Sequence, residues 1–354
     1  MHKTSPIIVG LLVGVFVFTG CARDSADKGT STETKAAAKP AIVAVAPSKG
    51  CGSAATVAAG HEKITMTSGD TETPSVSTRW FWRDVPAAHD GETPVPVVVD
   101  FHGYSEGADV HLMMSDLTTY GGEKGFVTIT PQGQGPVARW DVGGDSVDMT
   151  YVDDFLDQVG EMLCIDENRI FATGLSNGAM MSSAIACSRA DRFAAVSPVA
   201  GVRAPDECEP ARAVPMVAFH GTDDQYLGYD GCFGSRVSTL PAPDGSTRPA
   251  PDLSTTTTPA PCGPTVPEMT AIWAKRNGCT AAPKETKIAA DVTKIAYACS
   301  NGADVELYTV AEGGHTWPGS KFSQQIESIV GPTSMSISAN KIMWNFFENH
   351  PRSS

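Results

Sequence analysis

"ATGLSNGAMM", residues 172–181, sets Ser176 between Gly174 and Gly178. The run leading in, Arg169 to Thr173, is strand-like, and the run leading out, Ala179 to Ala186, is rich in helix formers. A serine held between glycines where a strand turns into a helix reads as a nucleophile elbow. The sharp turn lifts the hydroxyl out of the sheet, and a side chain at either glycine would collide with neighbouring backbone. The plainer reading is an ordinary strand–helix turn that uses glycine for geometry. The rest of the chain separates the two only if it supplies a base, an acid and donors for an oxyanion.

Outward from the elbow, strand and helix patterns alternate. Residues 95–101, 125–130, 169–175, 194–199, 214–219 and 304–310 are apolar runs of strand length. Helical spacing appears over 151–163, where Val152, Phe155, Leu156, Val159, Met162 and Leu163 share a face, and again over 177–189, 267–277 and 338–348. Repeated strand–helix–strand units predict an α/β fold: one catalytic domain with a mostly parallel central sheet and helices on both faces. Ligands in such sheets bind beyond the carboxyl ends of the strands.

Three chemistry-bearing loops follow strands. Ser176 follows 169–175, "FHGTDDQY" follows the run ending at Phe219, and "AEGGHTWPG" follows the run ending at Val310. The order Ser, Asp, His is that of α/β-hydrolases. Serine is a weak nucleophile until a neutral imidazole takes its proton, and a carboxylate must then hold the other ring nitrogen. His315, freed to turn by Gly313 and Gly314, is the base candidate. Asp223 and Asp224 both qualify as the acid by position. His102 and His220 sit in His-Gly turns and read as loop braces. "DFHGYSEG", 100–107, offers backbone N–H groups which, with that of Asn177, would face a developing oxyanion.

The chain's ends and composition set its context. Lys3 followed by the apolar run Ile7–Phe18 and "FTGC" reads as a lipoprotein signal peptide over 1–20, with Cys21 as the lipidated residue and membrane anchor. A plain signal peptide or a short anchor is the alternative. Residues 21–50 read as a flexible tether, and 51–354 as the catalytic domain. The net charge of −14 argues against nucleic acid as a partner. Besides Cys21 there are eight cysteines: Cys51, Cys164, Cys187, Cys208, Cys232, Cys262, Cys279 and Cys299. None forms a Cys-x-x-Cys pair, so a zinc site is not expected. An even count in an exported chain predicts four disulfides, and eight cysteines allow 105 connectivities. Proximity favours Cys187–Cys208, Cys232–Cys262 and Cys279–Cys299, leaving Cys51–Cys164; free buried thiols are the alternative. One stretch breaks the rhythm: 228–266 contains "LPAPDGSTRPAPDLSTTTTPAPCGP", a Pro/Thr-rich insertion that either borders the site or decorates the surface.

Five motifs in order, "FHGYSEG", "TPQG", "CIDENRIFATGLSNGAMMSSAIAC", "FHGTDDQYLGYDG" and "GGHTWPG", resemble the secreted serine esterase family of polyhydroxybutyrate depolymerases, feruloyl esterases and acetylxylan esterases. The resemblance runs from about 51 to 350. It implies an α/β-hydrolase fold with no metal or cofactor, Ser176 as nucleophile, His315 as base and Asp224, rather than Asp223, as acid. It also implies Tyr104 and Asn177 as oxyanion donors. "LGYDG" departs from the family's Val-Pro-Tyr stretch, which leaves substrate preference open. The implied partner is an ester: a feruloyl or acetyl ester of plant polysaccharide, or alternatively a short hydroxyalkanoate polyester or its oligomers. A non-catalytic, ligand-binding lipoprotein is the reading from another class. Trp140 and Trp317, each on a loop at the carboxyl-end side, are substrate-wall candidates, with simple packing as the other reading.

Overall fold

The computed structural model describes residues 43–53, 57–69, 77–247 and 262–352. Cys21, the 1–20 segment and the middle of the insertion lie outside the described residues.

A ten-stranded sheet has the order β1-β2-β4-β3-β5-β6-β7-β10-β9-β8. The strands are β1 (Gly60–Ser68), β2 (Ser77–Val85), β3 (Val95–Phe101), β4 (Val127–Pro131), β5 (Ile165–Leu175), β6 (Ala195–Val199), β7 (Met216–Gly221), β8 (Lys284–Ala289), β9 (Val292–Tyr297) and β10 (Val305–Val310). The central strands β4, β3, β5, β6, β7 and β10 pair in parallel, and the outer ones pair antiparallel. The helices are α1 (Ala108–Ser115), α2 (Leu117–Lys124), α3 (Val147–Met162), α4 (Asn177–Ser188), α5 (Val266–Arg276), α6 (Lys321–Gln325), α7 (Glu327–Val330) and α8 (Ala339–Glu348). The expected α/β-hydrolase architecture is therefore present.

Alternation along the strands splits the core in two. Val97, Val99 and Phe101 of β3 join Phe155 of α3, Ile185 of α4 and Trp273 of α5 on one face. Val98 joins Leu117 of α2 with Trp344 and Phe347 of α8 on the other. Both faces of the parallel strands are buried, which is why they read as continuous apolar runs.

All four expected disulfides form: Cys51–Cys164, Cys187–Cys208, Cys232–Cys262 and Cys279–Cys299. The tether boundary needs correction. Residues 44–50 are fastened to the body: Ser48 N–H donates to Ile165 O at 3.0 Å and its hydroxyl to Leu163 O at 2.7 Å. Ala46 N–H donates to Asp166 Oδ1 at 2.9 Å, and Ser48 is buried. These short polar residues satisfy backbone groups at the start of β5, a role that composition does not reveal.

Candidate active site

Ser176 sits on the turn between β5 and α4 with φ 59° and ψ −117°, a conformation that L-residues rarely adopt. The turn is tight because α4 presses on β3. A Cβ on Gly174 would lie 2.4 Å from Phe101 O, and one on Gly178 would lie 2.0 Å from the same oxygen. Behind the serine, a Cβ on Gly201 would meet Ser176 O at 2.5 Å. The glycines that frame the serine are thus steric requirements, and the strained φ belongs to an elbow rather than to an ordinary turn.

Asp224 and His315 meet at the same edge of the sheet, from the loops after the neighbouring strands β7 and β10. The His315 Nδ1–Asp224 Oδ2 distance is 2.7 Å, and both residues are 6% exposed. The other carboxylate oxygen accepts from Tyr226 N–H at 2.8 Å and Leu227 N–H at 2.9 Å. His220 Nε2 lies 3.3 Å from Asp224 Oδ2 and 2.7 Å from Leu227 O. Burial alone would raise the Asp224 pKa, but the facing His315 and His220 outweigh it and hold the carboxyl below the usual carboxylate range. Asp223 is exposed and contributes its N–H to Gly313 O at 2.9 Å. Among the described residues neither Ser176 Oγ nor His315 Nε2 has a hydrogen-bond partner, the looser geometry common before substrate binds.

The loop 102–107 closes the site from the β3 side. A Cβ on Gly103 would lie 3.5 Å from Ser176 Cβ. Gly103 N–H is taken by Glu106 Oε2 at 2.5 Å and Ser105 N–H by Ala138 O at 2.8 Å. Tyr104 N–H has no partner among the described residues. Asn177 is the first residue of α4, where a backbone N–H has no intrahelical acceptor and the helix dipole favours negative charge. Its side chain is committed elsewhere: Oδ1 accepts from Trp140 N–H at 2.7 Å and Nδ2 donates to Trp140 O at 3.3 Å.

His102 braces this loop. Its Nε2 accepts from Gly133 N–H at 2.9 Å, so Nδ1 carries the proton and donates to Gly103 O at 2.7 Å. Burial pushes its pKa down to about 4, and the ring is neutral. Sequence reasoning missed a second brace. His111 of α1 is fully buried, with Nε2 2.7 Å from Asp100 Oδ1 and Nδ1 3.2 Å from Glu106 Oε1. Both ring nitrogens face carboxylates, so both donate and the ring is an imidazolium. Burial opposes that charge, but Asp100 and Glu106 overcome it and raise the pKa to about 10. The same Glu106 fixes Gly103 N–H, so a buried ion cluster holds the loop beside the serine. The acidic and basic residues at 100, 106 and 111 were its only sequence signal.

Trp140 and Trp317 are not walls of the site. They are 3% and 1% exposed, and each indole N–H is already engaged, with His102 O at 2.9 Å and Asn340 Oδ1 at 2.7 Å. Trp140 packs edge-on against Phe101, and Trp317 packs edge-on against His111. Their role is to hold loops, because a substrate cannot stack on a covered ring.

A strained serine at a strand–helix elbow, on a mostly parallel sheet whose next loops bring a carboxylate to a histidine, is the arrangement of the α/β-hydrolase fold. The model of the prolyl oligopeptidase family matches residues 145–209, the span from just before α3 to just past β6. Feruloyl esterase B of Piromyces equi is 27% identical over 65% of this chain and 41% of its own length. Feruloyl esterase D of Neurospora crassa is 29% identical over 54% of this chain and 66% of its own. The chain therefore spans less than two thirds of either relative. An acetyl xylan esterase from Aspergillus awamori shares the fold, with a TM-score of 0.52 and 17% identity over 76% of this chain and 98% of that one. The chain has the α/β-hydrolase fold and is similar to feruloyl esterases.

Proposed function

We propose that the protein is a serine carboxylic-ester hydrolase. The observation that carries this reading is the strained Ser176 at the same sheet edge as the Asp224–His315 pair. Ser176 Oγ attacks the ester carbonyl while His315 Nε2 takes its proton, and Asp224 steadies the imidazolium through Nδ1–H. The carbonyl oxygen, now an oxyanion, receives the N–H groups of Tyr104 and Asn177, donors of a kind that contribute about 3 kcal/mol each. His315 returns the proton to the departing alkoxide, which leaves as the alcohol. Water, deprotonated by the same ring, then attacks the acyl-enzyme and releases the acid and Ser176.

Feruloyl or acetyl esters on polysaccharide are the substrate class that the names of the relatives, feruloyl esterases and an acetylxylan esterase/xylanase, favour. No feature of the site favours the polyester or the non-catalytic reading. Four disulfides support an exported protein, and the signal and Cys21 anchor belong to that reading. The test is a fluorophosphonate probe with p-nitrophenyl acetate turnover. The wild type should label and turn over, and Ser176→Ala should lose the label and on the order of 10⁶-fold in kcat. Undiminished turnover by Ser176→Ala would remove the proposal.

A further inference from the structure

The described segment 226–245, which runs from the acid loop into the start of the insertion, is fastened at two places. The ring of Tyr226 lies 4.9 Å from that of His315, centroid to centroid. Tyr226 OH donates to Ile329 O at 3.2 Å, and Arg236 Nη1 donates to the same oxygen at 2.8 Å. Ile329 adjoins Val330, whose carbonyl accepts His315 N–H at 2.6 Å, so this anchor stands on the histidine side. A few residues on, the segment reaches the opposite bank. Pro241 O accepts from Tyr104 OH at 3.0 Å, and a Cβ on Gly245 would lie 3.4 Å from Pro136 Cβ. Tyr104 follows Gly103, the residue against Ser176. The segment 226–245 is therefore anchored on both sides of the nucleophile, like a strap.

Its construction is rigid. Gly234 N–H donates to Tyr226 O at 2.9 Å and Arg236 N–H to Gln225 O at 3.0 Å, while a 3-10 turn spans Ser235–Thr239. The feet are closed by Cys232–Cys262 and by Gly263 N–H to Gly231 O at 3.0 Å. Val237, Leu240, Pro241 and Ala242 are half-buried, whereas Ser238, Thr239 and Asp244 are exposed. Phe233, also in the strap, is exposed, so its exposed positions are both apolar and polar.

We infer that this strap is the specificity element of the site: its span, fastened beside His315 and beside Tyr104, limits the girth of the ester group next to Ser176. This rests on the esterase reading above. The test measures kcat/KM for p-nitrophenyl acetate and p-nitrophenyl cyclohexanecarboxylate. Arg236→Ala loosens the histidine-side anchor and should shift the ratio toward the bulky ester by about tenfold, chiefly through KM. Leu240→Trp adds bulk next to Pro241, the anchor on the Tyr104 side, and should shift the ratio the other way. If Arg236→Ala fails to fold, Leu240→Trp alone decides. Ratios within about twofold of wild type would overturn the strap inference. Failure of the wild type to cleave even the acetate would instead sink the esterase reading.

Discussion

At Asp224, one position in the chain separates a buried carboxylate facing His315 from an exposed one. Asp223 directs its backbone to Gly313 O, and Asp224 directs its carboxylate to the ring. Asp224→Asn should therefore lower kcat on the order of 10⁴-fold, because the amide no longer holds the imidazole in its working tautomer. Asp223→Asn should stay within about twofold of wild type, as an exposed loop charge. Steady-state kinetics on p-nitrophenyl acetate make the comparison, and the reverse ranking would move the acid by one residue. Spacing alone leaves this choice open, since both aspartates follow the same strand and only the path of the loop turns one inward. The serine was easier to read, because an elbow needs glycines at fixed offsets. His111 was illegible: its partners, Asp100 and Glu106, meet it only once α1 folds back on the end of β3.

Between elements, the close approach of α4 to β3 governs how Ser176 is held. Gly178→Ala would put a methyl 2.0 Å from Phe101 O, a backbone atom in the sheet centre that cannot rotate away. α4 must then lift off β3, which parts the Ser176 turn at the start of α4 from the loop 102–107 that follows β3. The expected cost is about 1–3 kcal/mol of stability together with a fall in kcat greater than the fall in stability explains. Chemical denaturation and kinetics on one preparation check it, and wild-type values for both would contradict the steric account. The parallel strands and their helices were legible because burial on both faces leaves continuous apolar runs and amphipathic helices. The edge strands were not. β8, "KETKIA", is mostly exposed, and β1, "GHEKITMTS", pairs only with β2 at the sheet's end, so neither carries an apolar run. Helices α1 and α2 are only eight residues each and have little amphipathic pattern. The insertion's contribution was also hidden, since its two anchors are hydrogen bonds to residues far away in the chain.

For the whole molecule, the buried histidines make stability depend on pH from both sides. His102 is neutral in the fold down to about 4, whereas unfolded it protonates near 6.5. A depressed histidine pKa means that acid favours the unfolded chain, so its contribution is lost as pH falls through that window. Asp224 acts in the same direction, its low folded pKa giving stability above 3.8 that disappears in stronger acid. His111 has the opposite sign. Its folded pKa of about 10 lies above the unfolded 6.5, so its contribution is full below 6.5 and is lost as pH rises toward 10. Asp100 and Glu106 face it directly, the Ser115 hydroxyl donates to Asp100 Oδ2 at 2.6 Å, neutral His102 lies near, and Trp317 packs edge-on against the ring. Glu106→Gln removes one of its two carboxylates and should lower the neutral-pH Tm, since a buried cation loses a partner. Because the remaining pair holds the proton less tightly, the gap from wild type should close as pH rises from 6.5 to 10. Calorimetric melts of both proteins across that range test it. A gap that stays constant with pH would mean that Glu106 acts only by fastening Gly103 N–H, with the imidazolium indifferent to it. A closing gap ties the loop beside Ser176, through Glu106, to the charge on His111.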